Sequence, residues 1–353
     1  MAKIWMRMEL KPDERRAPIA PADAAKLIAA GHQVHVEDDA NRAIPTTAYR
    51  DAGCAIEAPG AWVMAPDDAW IIAVKEMPEG DDFPLPGRYI HFGHLFKGQT
   101  GWRDGLRRFA DGGGVLYDLE FLTNAEGRRV AAFGYWAGYA GAALGLRLWA
   151  GLEDGERPGL SPVAPFAGRE DLAAYTRAAL AGRTPRALIT GALGRCGRGA
   201  RDLCEAVGVE TTDWDMAETG SGGPFPEILQ HDVLVNAVLA SPACPVFVPS
   251  GSPGDPNRRL TAIADVSCDP TSDYNPIPVY NRSTTFSDPA NLVTEDPRPL
   301  SVMAIDHLPS LLPVEATEDY SEQLLPALMT LDGDADGIWG RAKAAFDEAV
   351  GQL

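Results

Sequence analysis

At 353 residues the chain exceeds the length at which single hydrophobic cores usually stop growing, so two domains are expected. Its 45% hydrophobic and 23% charged residues are ordinary globular composition, which argues against a disordered or membrane-embedded chain. Lys plus Arg total 31 against 50 for Asp plus Glu, and the formal net charge of -19 disfavours nucleic acid and anionic membranes as partners.

An anionic substrate remains compatible with that charge, because arginines gathered in one cleft can hold carboxylates locally. The amino terminus runs straight into a polar segment without a signal-peptide core, and no stretch of eighteen or more apolar residues occurs, so a cytoplasmic location is expected. Cys54, Cys196, Cys204, Cys244 and Cys268 are odd in number and lack Cys-x-x-Cys pairs, which indicates reduced thiols, no disulfide framework and no metal site.

In chain order, a strand is predicted over Lys3 to Met8, a helix over Ala22 to Ala30 and a strand over Gln33 to Glu37. Further apolar runs at Trp70 to Val74, Tyr89 to Phe92 and Val115 to Leu119 continue this βα grammar. A helix rich in Ala, Gly and aromatics, Val130 to Trp149, crosses into a second domain, and Gly155 to Gly168 is a loop before a helix over Asp171 to Ala181. Strands at Arg186 to Thr190, Glu210 to Asp213, Asp232 to Ala237, Thr261 to Val266 and Ser301 to Ile305 have the spacing of a parallel nucleotide-binding sheet. Helical periodicity at Glu318 to Leu328 and Ile338 to Val350 returns the tail to the first domain. The fold class is α/β: two Rossmann-like domains with parallel sheets and a cleft between them, residues 1–132 plus 313–353 for substrate and catalysis, and 133–312 for the dinucleotide.

Gly191, Gly194 and Gly197 follow a predicted strand and open a helical pattern at Arg198, the context in which glycines let the backbone approach a pyrophosphate at a helix amino terminus. The spacing is Gly-x-x-Gly-x-x-Gly, less common than Gly-x-Gly-x-x-Gly. Asp215, at the end of the next strand, supplies a carboxylate for the ribose hydroxyls and disfavours a 2′-phosphate, so NAD is expected rather than NADP. Thr219 either lines the adenosine pocket or merely turns the chain.

Ligands bind beyond the carboxyl ends of strands in open α/β sheets. Three consecutive runs end there in ionisable residues: Lys75 and Glu76, then His94, then Glu120. Each alone reads as an exposed charge; together they suggest proton-transfer chemistry and substrate binding. Arg16, Arg128 and Arg129 could hold carboxylates, Arg128 being the one best placed for the cofactor. His91 is read as a core or surface residue, His32 and His35 as surface residues, and His231 as the start of a strand, none with a nameable partner.

Ile71 to Pro78, Leu116 to Leu122, Gly127 to Gly134, Gly191 to Gly197, Glu218-Thr219 with Gly222 to Phe225, Pro256 to Leu260 and Ile305 to Pro313 span nearly the whole chain. On these segments the sequence resembles the NAD-dependent, lysine-forming saccharopine dehydrogenases, relatives of alanine dehydrogenase. The resemblance implies reversible oxidative cleavage of saccharopine to lysine and 2-oxoglutarate, with Lys75 as general base and His94 as general acid. It assigns Arg16, Gln99, Arg129 and Phe133 to substrate, and Arg128, Gly194, Arg195, Asp215, Thr219, Leu239, Val266, Ile305, Asp306, His307 and Leu308 to NAD. It also implies that a cysteine found in some fungal members, able to pair with the one matching Cys196, is replaced here by Ala237. A monomer binding only small molecules is expected. The alternatives are another amino-acid or opine dehydrogenase, or a catalytically silent NAD-binding protein, against which the joint presence of Lys75 and His94 argues.

Overall fold

The computed structural model describes residues 1–11, 13–77, 82–239, 241–333 and 337–353; Pro78 of the segment beginning at Ile71 lies outside them. The chain divides into two compact units, 1–132 with 313–353 and 133–312.

The first unit opens β1 (Lys3–Met6), α1 (Pro21–Ala29), β2 (Gln33–Glu37), α2 (Thr46–Asp51), β3 (Ala55–Glu57), β4 (Ala69–Ile72), β5 (Arg88–His91), α3 (Trp102–Gly112) and β6 (Val115–Asp118). The strands pair in the order β3-β2-β1-β4-β5-β6, all parallel, with the order reversing between β1 and β4. All four residues of β4 are buried, as a strand covered on both faces requires. Three elements escape the sequence reading: α2 and β3 are too short for a periodic signal, and glycines interrupt α3. One of these, Gly105, leaves room for Leu95, whose Cδ2 would lie 2.6 Å from an added Cβ.

The second unit comprises α4 (Gly134–Glu153), α5 (Arg169–Leu180), β7 (Ala187–Thr190), α6 (Arg195–Val207), β8 (Thr211–Trp214), α7 (Met216–Thr219), β9 (Val233–Asn236), β10 (Ala262–Asp265), β11 (Asn291–Thr294) and β12 (Leu300–Met303). Its sheet runs β11-β12-β10-β9-β7-β8, parallel except for the edge strand β11, which was not anticipated. Helix α4 starts at Gly134 rather than Val130, because the Val130 N–H donates to the Leu122 carbonyl (3.0 Å) and closes a turn at Gly127. Its glycines bring backbones into contact: a Cβ on Gly138 would lie 1.8 Å from the Cys196 carbonyl oxygen, and one on Gly199 of α6 1.9 Å from that of Tyr135.

The tail helices α8 (Pro313–Leu328) and α9 (Ile338–Val350) complete the first unit. Helix α8 begins five residues before the expected Glu318, with Pro313 in its first turn, where proline sacrifices no helical bond. Its Thr317 and Ser321 hydroxyls accept the Ala17 and Ala20 N–H groups at 2.9 and 2.8 Å, fixing the loop after β1. On α9, Trp339 packs on Trp70 and Tyr117. No helix among the described residues is long and apolar enough to cross a membrane.

Candidate active site

Adjacent strands β4, β5 and β6 each run into a loop carrying one of the ionisable groups singled out above. Backbone bonds continue past the strands: Phe92 N–H to the Val74 carbonyl (3.1 Å) and Leu119 N–H to the His91 carbonyl (3.1 Å). Lys75 and Glu76 are half-buried and His94 is exposed. The His94 backbone is left-handed (φ 54°), a conformation that costs a non-glycine residue about 1–3 kcal/mol and persists only when its surroundings enforce it.

Buried groups absent from the sequence reading hold these loops. Glu9 accepts the N–H groups of Val74 (2.6 Å) and Lys75 (3.0 Å), and Arg7 donates to the Lys75 carbonyl (2.5 Å). Burial pushes the Glu9 carboxyl up and the Arg7 guanidinium down, each opposing the other's shift. Asp118, the last residue of β6, accepts the Gly93 N–H (3.0 Å) and the Glu120 N–H (2.8 Å), and burial pushes its carboxyl up to about 6. A charged residue ending an apolar strand was the available signal for Asp118.

The expected carboxylates and arginine already have protein partners. Glu76 pairs with Lys11, and Glu120 with Lys97 (2.8 Å). Burial raises the Glu76 carboxyl, but the Lys11 bond and a backbone N–H outweigh it, so it lies below its ordinary range. Buried Arg16 forms a two-pronged pair with Glu14 (2.8 and 2.6 Å), which overcomes burial to hold the Glu14 carboxyl low and the Arg16 guanidinium high. The charge of Lys75 also acts on both Glu14 and Glu76.

Arg128 and Arg129 are exposed on the turn closed by Gly127, and Arg129 acts electrostatically on buried Tyr320 of α8. Gln99 accepts the Lys97 N–H through its side-chain oxygen (2.9 Å). Phe133 lies in the second unit, immediately before α4. His91 is a core residue, 2% exposed, held neutral to about pH 3 by burial, with Arg7 adding to the effect. His35 faces Glu57 (2.7 Å). His231 precedes β9 instead of beginning it, its ring between the Glu227 carbonyl (2.8 Å) and the Thr212 hydroxyl (2.9 Å).

In the second unit β7 ends in Gly191, left-handed at φ 72°. Helix α6 starts at Arg195, three residues earlier than expected, with Gly194 as its N-cap. Its first internal bond is Arg198 N–H to the Gly194 carbonyl (3.0 Å), so the N–H groups of Arg195, Cys196 and Gly197 precede the helical ladder, as anion-binding donors do. A Cβ on Gly197 would sit 2.2 Å from the Gly191 carbonyl oxygen, so only glycine lets the helix approach the turn. Asp215 ties the next strand to this turn, accepting Leu193 N–H (3.0 Å) and Met216 N–H (2.9 Å). Thr219 is buried and donates to the Asp215 carbonyl (2.8 Å), the role of a turn-stabilising hydroxyl.

Leu193, Met216 and Leu239 follow β7, β8 and β9, and are 69%, 79% and 68% exposed. Such a row of large apolar side chains at carboxyl strand ends suits the cover of a flat ring. Below it, Asp265 accepts from Asn236 (2.9 Å), Ser267 (2.8 Å) and Tyr280 (2.6 Å), locking the ends of β9 and β10. Val266 meets Gly141 of α4, where an added Cβ would lie 2.5 Å from its Cγ2. Ile305 and Leu308 are buried, Asp306 is exposed, and His307 packs on Phe286 with ring centres 4.4 Å apart. The glycine cradle, the donor row and the Asp215 carboxylate fit a dinucleotide.

Residues 5–140 match the family model for the alanine dehydrogenase/PNT N-terminal domain. Among solved structures, an L-alanine dehydrogenase superposes over 98% of this chain and 94% of its own with TM-score 0.67 at 18% identity, a likeness of fold. A saccharopine dehydrogenase [NAD(+), L-lysine-forming] from Emericella nidulans is 45% identical over 99% of this chain and 98% of its own length. Its counterpart from Candida albicans is 42% identical over 99% and 97%. At that identity over that length, this chain belongs to the NAD-dependent, lysine-forming saccharopine dehydrogenases.

Proposed function

We propose that the chain, as a monomer, cleaves saccharopine oxidatively to L-lysine and 2-oxoglutarate, and catalyses the reverse reaction. The observation that carries this reading is identity above 40% along 99% of the chain to enzymes of that name. The first unit carries Lys75 and His94 for the proton work, and the second carries the glycine turn and Asp215 for the cofactor.

Bound NAD would accept the hydride from the C–H beside the substrate's secondary amine. Gly191, Gly194, Arg195 and Gly197 would seat its pyrophosphate and Asp215 its ribose hydroxyls, with Arg128, Thr219, Leu239, Val266 and Ile305 to Leu308 as further contacts. Lys75 Nζ would take the proton from the amine as the C=N bond forms, and the His94 imidazole would exchange protons with the water that adds and the amine that leaves. Glu76 and Glu120 set the local charge and are restrained by Lys11 and Lys97. Arg129 and Gln99 would orient substrate polar groups, with Phe133 alongside. Arg16 joins them if a substrate carboxylate shares the fork now held by Glu14.

A steady-state screen of 2-oxo acids against amines, followed by NADH absorbance, tests the reading. Turnover with 2-oxoglutarate and lysine together is expected; NADH consumption with pyruvate and ammonia, and none with that pair, would replace it with an alanine dehydrogenase.

A further inference from the structure

Two loops, one bearing His94 and the other Glu120, are tied together twice. At the exposed rim Lys97 pairs with Glu120 at 2.8 Å. Beneath it, the two carboxylate oxygens of Asp118 are divided between the loops, Oδ2 accepting from Gly93 and Oδ1 from Glu120. Asp118 is 1% exposed, so it has no water to compensate a lost bond. Gly93 permits the close approach: an added Cβ would lie 2.5 Å from Leu116 Cδ2 and 3.2 Å from Asp118 Oδ2. The peptide so held, Phe92–Gly93, lies one residue before left-handed His94, a backbone state that needs external enforcement.

We infer that Asp118 is the positioning residue for His94, its buried carboxylate anchoring the Gly93 peptide and thereby fixing the orientation and charge environment of the imidazole. This rests on the reading of His94 as the group that exchanges protons with substrate. Asp118 does not touch the substrate in this account. The ionisable groups facing it are His94 from the loop after β5, Glu120 from its own loop and Tyr320 from α8. Removing the negative charge of Asp118 takes away an interaction that favours protonated His94. Asparagine keeps one acceptor but offers an NH₂ group to the other N–H, so Asp118→Asn breaks one anchor with little change of shape.

The test is ¹³C-histidine NMR and amide hydrogen exchange of the full chain alongside kinetics, with His94→Gln identifying the His94 signal. In Asp118→Asn the His94 ring signal is expected to move while those of His32, His35 and His231 stay in place. Turnover should fall by roughly 10- to 100-fold while KM for NADH stays within about two-fold. In the unmodified protein the Gly93 and Glu120 amides should exchange slowly with solvent, as N–H groups held by a buried carboxylate do, a readout that needs no variant to fold. Fast exchange of the Gly93 amide in the wild type, or a His94 signal unmoved in Asp118→Asn, would overturn the inference, as would unchanged turnover in that variant. The NMR readout does not depend on turnover, so failure of the lysine and 2-oxoglutarate assay would fall on the functional reading alone.

Discussion

Glu9 holds the peptide of Lys75: its two carboxylate oxygens accept the Val74 N–H at 2.6 Å and the Lys75 N–H at 3.0 Å. The buried acid stands on the segment after β1, while Lys75 stands after β4, the strand beside it. The backbone from which Lys75 Nζ projects is therefore held by a residue 66 positions earlier. Glu9→Gln replaces one acceptor by a donor facing a donor, which should cost about 1–3 kcal/mol of stability. Turnover should fall with little change in KM for NADH. Urea unfolding reads the first and steady-state kinetics the second; a variant matching the wild type in both would show that the Lys75 loop holds itself.

Asp215 is tied to the glycine turn through the Leu193 N–H, which its carboxylate accepts at 3.0 Å. Asp215→Ala should narrow the preference for NAD over NADP by about 10- to 100-fold, the equivalent of roughly 1.4–2.8 kcal/mol of relieved repulsion. It also removes the N-cap of α7, worth about 1 kcal/mol. Efficiencies measured with both cofactors decide the point, and an unaltered ratio would move the discrimination to another residue.

If Lys75 and His94 exchange protons with substrate, Lys75→Met and His94→Gln should each lose about 10²–10⁴-fold in turnover while the fold and NAD binding survive. The double variant should lose less than the product of the two if they share one proton path. Each single variant should lack one limb of the wild-type pH profile. Retention of both limbs and near-normal turnover in Lys75→Met would turn attention to Glu76 and Glu120.

The strands and glycine turn are legible in the sequence because their signals are local: four apolar residues in succession at Ala69–Ile72, or glycines between a strand and a helix at Gly191 to Gly197. Expected strand ends ran one or two residues long, as at Val74, where backbone bonds carry on past the end of β4 into the loop. What stayed hidden is long-range pairing. Nothing near Glu76 or Glu120 announces Lys11 or Lys97, and nothing local marks Glu9 and Glu14 as buried, whereas Asp118 carries the signal of a charged residue ending an apolar strand. Lys75 and His94 were singled out from strand-end position, yet the acids that hold Lys75 and the residue before His94 come from other strands and loops, whereas the Asp215 N–H is held locally by Glu218.

His91 and Asp118 stand opposite each other in the β5–β6 register and should leave opposing marks on stability as pH changes. Burial lowers His91 to about 3, so below pH 6.5 the unfolded chain takes up a proton that the folded one refuses. Its contribution is full above pH 6.5 and is lost on acidification towards 3, at about 1.4 kcal/mol per pH unit. Burial raises Asp118 to about 6, so between pH 6 and its unfolded value of 3.8 the folded chain holds a proton that the unfolded one has released. Its contribution is full below pH 3.8 and is lost as pH rises through 6, with the opposite slope. Between about pH 4 and 6 the two should nearly cancel in the wild type. Urea unfolding at half-unit pH steps from pH 6 to 4 should therefore show Asp118→Asn losing stability on acidification where these groups leave the wild type nearly level, and His91→Gln gaining it. Three parallel curves would mean that neither group is desolvated enough to change its protonation on folding.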